Sequence, residues 1–327
     1  MKLFAIFIIS LLFLSCSPAP QRKIYFKMDT IIEITIFQER NIQKTEEIFA
    51  EIEKFLSDWD ERFSPSSEKS EIVKINSRTN DTVKVSEDLF EMLETALRFS
   101  QKLDGAFDIT IKPLKDFWNV GGAGEIFPDP RDTAILDTLA KILETVDYRK
   151  ISLLQNPKRA VFENPETQID LGGIAKGFAL EKIREILENG GFENFIVNIG
   201  GDIFVSGEKG RHSPIIVGIR NPREAGVLRA FAGRGAVATS GDYERFRIAE
   251  SGARVHHLFD TETGLPASQN ISISITGKCA ITADILATGL FSLCEKRIRE
   301  KIYQFPNYEF LLVDSARNVF YSENFGK

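Results

Sequence analysis

Apolar positions along the chain repeat with two periods, and the switches between them mark the elements. Residues 24–37 are rich in β-branched side chains (Ile31, Ile32, Ile34, Thr35, Ile36) and predict one strand with Met28 inside it. Over 41–63 the stripe Ile48, Ile52, Phe55 and Leu56 recurs at helical spacing, extended by Trp59 and Phe63. Ser64-Pro65-Ser66-Ser67 closes that helix with loop chemistry. Residues 82–85 read as a short strand. Ser86 follows as an N-cap, with Glu87 and Asp88 in the first turn of a helix carrying Leu89, Met92, Leu93, Ala96 and Leu97. Asp104-Gly105 breaks it before Ala106-Phe107-Asp108-Ile109-Thr110, Pro113-Leu114, Phe117-Trp118 and a loop at Gly121-Gly122-Ala123-Gly124.

A helix is predicted over roughly 132–144 and strands near 151–154 and 160–162. Ile169-Asp170-Leu171-Gly172-Gly173-Ile174-Ala175-Lys176-Gly177-Phe178 then leads into a helix with apolar positions Ala179, Leu180, Ile183, Ile186 and Leu187, stopped by Gly190-Gly191. Such a glycine-rich helix entry has two readings. It exposes backbone N–H groups to an anion such as a diphosphate, or it is a tight turn that lets the helix pack closely. Neither the P-loop spacing nor Gly-x-Gly-x-x-Gly fits it. Strands follow at 195–199, 203–205, 215–219, 227–231, 236–239, 243–249 and 254–260. The Ile/Ser alternation of 271–275 predicts a half-buried strand. A helix from about 282, a second near 295–304 and strands at 309–313 and 318–321 complete the chain. Helices and strands in mixed order, with many adjacent strands, predict an α+β fold.

Composition changes this picture little. The 327 residues are 43% hydrophobic and 27% charged with net charge −6, an ordinary globular balance that gives no support to nucleic-acid binding. The first residues change it more. Lys2 precedes an almost wholly apolar run from Leu3 to Leu14, too short to span a bilayer comfortably, and Ser15-Cys16 follows. A cysteine at that point resembles a bacterial lipoprotein cleavage site, with Phe13 where leucine is usual. Residues 1–15 are therefore read as a lipoprotein signal peptide, 16–23 as a tether after a lipidated Cys16, and 24–327 as the folded domain. Acyl chains would anchor that domain to a membrane surface. Cys279 and Cys294 sit among apolar residues and are expected as buried free thiols.

The candidate chemistry is spread over several short stretches. Asp284 and Thr288 are four apart, on one face of a helix, and are oxygen donors of the kind a hard cation takes. Asp108 lies beside aromatics, either in a ligand pocket or as a backbone cap in a core loop. Ordered along the chain are Asp104-Gly105-Ala106-Phe107-Asp108-Ile109-Thr110, Asp170-Leu171-Gly172-Gly173-Ile174-Ala175-Lys176-Gly177 and Asn198-Ile199-Gly200-Gly201-Asp202. Ala238-Thr239-Ser240-Gly241-Asp242-Tyr243, His257-Leu258-Phe259-Asp260-Thr261-Glu262-Thr263-Gly264-Leu265-Pro266 and Thr282-Ala283-Asp284 with Ala287-Thr288-Gly289 follow. Together they resemble the ApbE family, the FAD:protein FMN transferases. Lys27-Met28-Asp29-Thr30 fits the family's Met-Gly-Thr element with Asp29 in place of glycine, and Thr261 stands where proline is usual.

The resemblance implies an ApbE-like mixed fold with two intertwined subdomains around a central FAD and metal cleft. It implies an enzyme that moves FMN from FAD to a threonine hydroxyl of another protein and releases AMP, with Mg²⁺ as cofactor. It places Met28, Phe63, Ala106, Phe107, Asp108, Asp170, Lys176 and, through main chain, Phe259 at the FAD site. Metal ligands would be Asp284, Thr288 and the Gly173 carbonyl, with His257 or Asp284 as the group that takes a proton. Partners would be FAD, an acceptor protein such as a membrane redox subunit, and the membrane through the lipid anchor, with the domain exported to the periplasmic or extracytoplasmic side. The alternatives are an Mg²⁺-dependent hydrolase giving FMN and AMP, and a flavin-binding lipoprotein without turnover.

Overall fold

The computed structural model describes residues 19–37, 42–65, 67–120, 127–210 and 213–326. The leader, Cys16, Asn41 and the glycine loop at 121–124 lie outside them. In chain order the elements are β1 (Gln21–Lys27), β2 (Thr30–Ile36), α1 (Ile42–Phe63), α2 (Glu71–Asn76), β3 (Thr82–Lys84), α3 (Glu87–Lys102), α4 (Lys112–Trp118), α5 (Leu136–Leu143), β4 (Ile151–Leu154), β5 (Arg159–Phe162) and α6 (Ala175–Asn189). Then come β6 (Phe195–Ile199), β7 (Asp202–Ser206), β8 (Ile216–Arg220), β9 (Val227–Ala232), β10 (Gly235–Gly241), β11 (Phe246–Ile248), β12 (Arg254–His256), β13 (Asn270–Gly277), α7 (Ala280–Leu290), α8 (Glu295–Ile302), β14 (Glu309–Asp314) and β15 (Val319–Tyr321).

The single strand predicted over 24–37 is a hairpin that begins inside the predicted tether, at Gln21. Met28 and Asp29 both adopt positive φ (57° and 54°), the two-residue turn whose twist suits antiparallel strands. With no glycine to signal it, the turn was hidden in the apolar run. Helices α2 and α4 went unpredicted because each is too short to show a period. Ser70 starts α2 by accepting from Ile72 N (3.1 Å). Ser86 caps α3 as expected, and Asp104 and Gly105 end that stretch at φ 52° and 81°.

Eight strands form one antiparallel sheet in the order β1-β2-β6-β7-β10-β13-β14-β15, as an α+β fold requires. Its main core lies on the helical face, where Ile32, Ile34, Val197, Ile273 and Ile275 pack with residues of α1, α3, α6 and α7. A second layer covers part of the other face: Val205, Val237, Leu311 and Val313 meet Val217, Ile219 and Phe231 of the β8–β9 hairpin, and Phe325. β13 is thus buried on both faces rather than half-buried. Its serines are small enough to go inside, and Ser274 Oγ lies 2.8 Å from Thr239 Oγ1 of the neighbouring strand. A third cluster gathers Leu114, Trp118, Leu139, Val255 and Phe259, and Trp118 Nε1 donates to Gly264 O (2.7 Å).

The strand predicted over 254–260 stops at His256. Leu258 N donates back to His256 Nδ1 (3.2 Å), and Asp260 accepts from Glu262 N (2.9 Å) and Thr263 N (3.2 Å), so the chain turns. Residues 254–256 pair with β11, and beyond them the bridge between Phe259 and Pro266 continues the pairing. Cys279 and Cys294, the two cysteines among the described residues, are free, but neither is fully buried. Cys279 is half-buried, and Cys294 is exposed at the start of α8, where the last core residues give way to a polar helix.

Helices α6 and α7 cross with their backbones nearly touching, and glycine makes this possible. A Cβ built on Gly177 would stand 2.8 Å from Ile281 Cα and 2.9 Å from Ala280 O. The crossing is locked by polar groups. Glu181 on α6 accepts from Ala280 N at the start of α7 (2.5 Å), and Asp284 Oδ2 on α7 accepts from Gly177 N (2.9 Å). The far end of α6 closes as the sequence indicates. Phe192 N donates to Leu187 O and Gly191 N to Glu188 O, with Gly191 at φ 77°. Because backbone cannot give way as a side-chain tip can, Gly177→Ala should lower stability by about 1–3 kcal/mol. Urea unfolding checks this: an unchanged midpoint at unchanged slope would show that the crossing is looser than described.

Candidate active site

One cavity of about 660 Å³ opens between the sheet and the helices, within the size range of small-molecule and cofactor sites. Its wall is assembled from distant segments: the Met28-Asp29 turn, the end of α1 (Trp59, Asp60, Phe63), Lys115 of α4, the 168–176 stretch, Thr239-Ser240-Gly241 at the end of β10, Glu244, Arg245, His257, Asp284 and Thr288. Each segment is held by a specific bond. Met28 N donates to Asp60 Oδ1 (3.0 Å), which ties the strained hairpin turn to α1. Phe63 is buried against Trp59, their ring centroids 4.5 Å apart.

The glycine-rich stretch is fixed at both ends. Asp170 N donates to Ile109 O (2.7 Å), and Asp170 Oδ1 accepts from Gly172 N (2.9 Å), which folds the turn over its own carboxylate. Asp170 Oδ2 meets Lys115 Nζ at 2.6 Å. Burial opposes the charged carboxylate, but Lys115 outweighs it and holds the Asp170 pKa below the usual range. Of the two readings of this stretch, the structure displays the close-packing one, against a helix rather than a strand. The first turn of α6 has no acid of its own, and its Gly177 N–H is already given to the Asp284 carboxylate.

Three charges meet at the floor. Lys176 pairs with the buried Asp202, and Asp284 lies close enough to act on both. Burial disfavours the Lys176 ammonium, yet Asp202 and Asp284 together raise its pKa. Burial pushes the Asp284 carboxyl up to about 7, with Asp202 adding repulsion and Lys176 opposing. Asp202 also accepts from Thr239 N (3.2 Å), which seats the end of β10 against the floor.

Asp284 and Thr288 face the cavity from α7, one turn apart as their spacing predicts. Gly173 lies against Thr288. A Cβ there would come within 2.8 Å of Thr288 Cγ2 and 3.1 Å of both Thr288 Oγ1 and Phe107 Cε2. Among the described residues no group of three or more His, Cys, Asp and Glu side chains is arranged to hold a metal. A cation here would rest on one carboxylate, one hydroxyl and a backbone carbonyl, an all-oxygen set that suits Mg²⁺ and not a soft metal.

His257 stands on the cavity wall with Nδ1 3.3 Å from Arg245 O. If Nδ1 donates there, Nε2 is left as an acceptor. Burial by the surrounding wall pushes its pKa down to about 3.

Met28, Phe63, Asp170, Gly173, Lys176, His257, Asp284 and Thr288 therefore line one cavity. Ala106, Phe107, Asp108 and Phe259 do not line it. Phe107 is buried behind Gly173 and Gly289. The Asp108 carboxylate accepts from Thr110 N and Oγ1 (both 2.7 Å) and Tyr148 N (2.9 Å), holding the loop under the site as a backbone cap. Ala106 borders a smaller recess with Asp260 and Thr261, and Phe259 packs in the Trp118 cluster. Sequence reasoning assigned no role to Trp59, Asp60, Lys115, Asp202 or Arg245. Asp202 closes one of the ordered motifs and Lys115 directly follows Pro113-Leu114, so both carried a signal. Asp60 carried none, because its role depends on the turn at Met28.

The ApbE family profile matches residues 28–312. The chain belongs to the ApbE family. It is 32% identical over 283 residues to the FAD:protein FMN transferase of Haemophilus influenzae, covering 84% of this chain and 80% of that protein. The FAD:protein FMN transferase of Treponema pallidum is 29% identical over 308 residues, covering 89% and 83%. The crystal structure of the ApbE protein of Thermotoga maritima superposes with a TM-score of 0.85 at 31% identity, covering 94% of this chain and 98% of that one.

For this ApbE-family chain the His257 shift gives a pH dependence. The folded state keeps His257 neutral, whereas an unfolded histidine takes a proton below about pH 6.5. Its contribution is present above that pH and is lost as pH falls toward about 3. Urea midpoints of the parent and of His257→Gln should converge between pH 7 and pH 4.5. Parallel midpoint profiles would show that His257 is solvated as freely in the fold as outside it.

Proposed function

We propose that this protein is an FAD:protein FMN transferase that uses Mg²⁺, is anchored by lipid at Cys16 and acts outside the cytoplasm on a membrane redox subunit. The observation that carries the reading is the convergence of Asp170, Gly173, Lys176, His257, Asp284 and Thr288 on one cavity from segments far apart in sequence. Family membership and the activity for which the relatives are named support the transferase; the sequence of the first sixteen residues supports the anchor. Among the described residues no helix is long and apolar enough to cross a membrane.

In this reading Asp284, Thr288 and the Gly173 carbonyl would hold Mg²⁺, which when bound supplies charge neutralisation and Lewis-acid polarisation at the FAD diphosphate. Lys176 and Arg245 add positive charge to the same wall, and the Lys115–Asp170 pair fixes the turn opposite. The acceptor threonine oxygen forms a bond to the FMN phosphorus as the bond from that phosphorus to the AMP oxygen breaks. AMP leaves, and the hydroxyl proton passes to a wall residue. With Mg²⁺ bound Asp284 would serve as a ligand, which draws its proton affinity down. Asp284 and the His257 ring, held neutral by burial, are the two candidate proton acceptors on that wall. The Trp59 and Phe63 pair gives an apolar flank of the kind a flavin ring requires.

The test is incubation of the protein with FAD, Mg²⁺ and an acceptor peptide bearing a threonine, followed by mass spectrometry for the FMN adduct and assay of AMP. The parent should give both products only with Mg²⁺. Asp284→Asn keeps an acceptor for Gly177 N and should stay folded, yet lose adduct formation by about 100-fold or more. Adduct formed by folded Asp284→Asn at the parental rate would remove Asp284 from the site. AMP without adduct would favour hydrolysis of FAD to FMN and AMP.

A further inference from the structure

The hairpin that delivers Met28 to the cavity carries an apolar surface that nothing among the described residues covers. Phe26 and Ile31 are direct cross-strand partners and so share a face. Ile24, two residues before Phe26, points the same way. They are 73%, 60% and 53% exposed. The opposite face of β1 is accounted for: Tyr25 is buried there and its hydroxyl donates to Phe49 O of α1 (2.9 Å). The β8–β9 layer that covers the sheet on the outer side does not include these residues among its contacts. β1 is also the outermost strand of the sheet.

We propose that the Ile24–Phe26–Ile31 face rests on an anionic lipid surface and holds the cavity at a fixed height above it. The inference rests on the lipid-anchor part of the proposed function. Two observations choose lipid over other occupants. Cys16 lies eight residues before Ile24, so a fully extended chain keeps the patch within about 28 Å of an acylated Cys16. The β1–β2 hairpin carries Arg22, Lys23 and Lys27 against Asp29 and Glu33, a small basic excess in a chain of net charge −6; Glu33 is the cross-strand partner of Ile24, while Lys23 and Lys27 alternate to the Tyr25 side of this edge strand, from which their long stems reach the headgroup level. Arg22 pairs with Glu33 (2.6 Å) and marks the edge of the patch away from the turn. Three side chains are far fewer than the roughly 20–30 per side of a stable protein interface, which argues against a second copy of the chain. A small apolar face close to the anchor instead adds buried apolar area to the membrane attachment.

The docking has a consequence for the site. The turn that ends the hairpin, Met28-Asp29, is itself cavity wall. Anchor, lipid contact and cavity wall then lie in sequence within sixteen residues, 16–31. The cavity would face substrates presented at a bilayer surface.

The test uses the full chain, made with its own leader and purified from membranes, with Phe26→Trp as reporter. Trp59 and Trp118 are buried (2% and 0% exposed) and give a quiet background. The mass of the N-terminal peptide first shows whether Cys16 is acylated. The acylated protein is then placed in phosphatidylcholine–phosphatidylglycerol vesicles with brominated acyl chains. Roughly half or more of the added emission should be quenched, since such faces insert about 5–10 Å into the headgroup–acyl boundary. Quenching should fall when phosphatidylglycerol is omitted. An acylated, vesicle-bound protein whose added indole is unquenched overturns the docking and leaves the anchor standing. An unquenched but blue-shifted indole gives the face to a protein partner and also overturns it. A chain with no acyl group on Cys16 overturns the anchor reading and the docking argued from it.

Discussion

The approach of α6 to α7 at Gly177 is the constraint on which the site depends. Two helix backbones come so close that even a methyl group has no room between them. That closeness lets one carboxylate, Asp284, cap the start of α6 while belonging to α7. It also brings Gly173, just ahead of α6, against Thr288, a turn along α7. Gly173 and the Asp284–Thr288 face of α7 thus reach the same place because a Cβ is missing at two positions. Strength of packing and placement of chemistry are here one and the same contact.

The floor of the cavity is stabilised by opposite charges that would each be costly alone. Lys176 and Asp202 neutralise one another, and Asp284 stands beside them with its pKa raised by burial. A buried pair of this kind is weak evidence for stability, since desolvation offsets much of the attraction. Its value lies in orientation. Asp202 reaches the end of β10 as well as Lys176, so the sheet, the helix and the charged group are fixed relative to one another.

Much of this was legible in the sequence. The helices α1, α3, α6, α7 and α8 and most strands followed from period and caps, because each is long enough to show its own repeat. Asp284 and Thr288 could be placed on one helix face from spacing alone. What escaped was set by partners distant in sequence. The turn at Met28 and Asp29 has no glycine, and its geometry is sustained by Asp60 from the end of α1. β13 looked half-buried because alternation reports polarity, whereas Ser272 and Ser274 are both buried and the Ser274 hydroxyl meets Thr239 within the sheet. Asp108 sat in a family motif, and its three hydrogen bonds show a carboxylate holding a loop beneath the cavity. A motif marks which residues stay together, and geometry then separates those that face a ligand from those that hold the wall.

The order of strands also bears on when the site can exist. β2 waits for β6, and the floor waits for β10 and α7, while Met28 and Thr288 stand near opposite ends of the chain. Contacts of such long sequence separation form late and slowly. A chain emerging N-terminus first presents the β1–β2 hairpin with its inner edge unpaired until most of the molecule has followed. No partial product can hold the cavity's charged floor, so any ligand must be taken up after synthesis of the whole chain is complete.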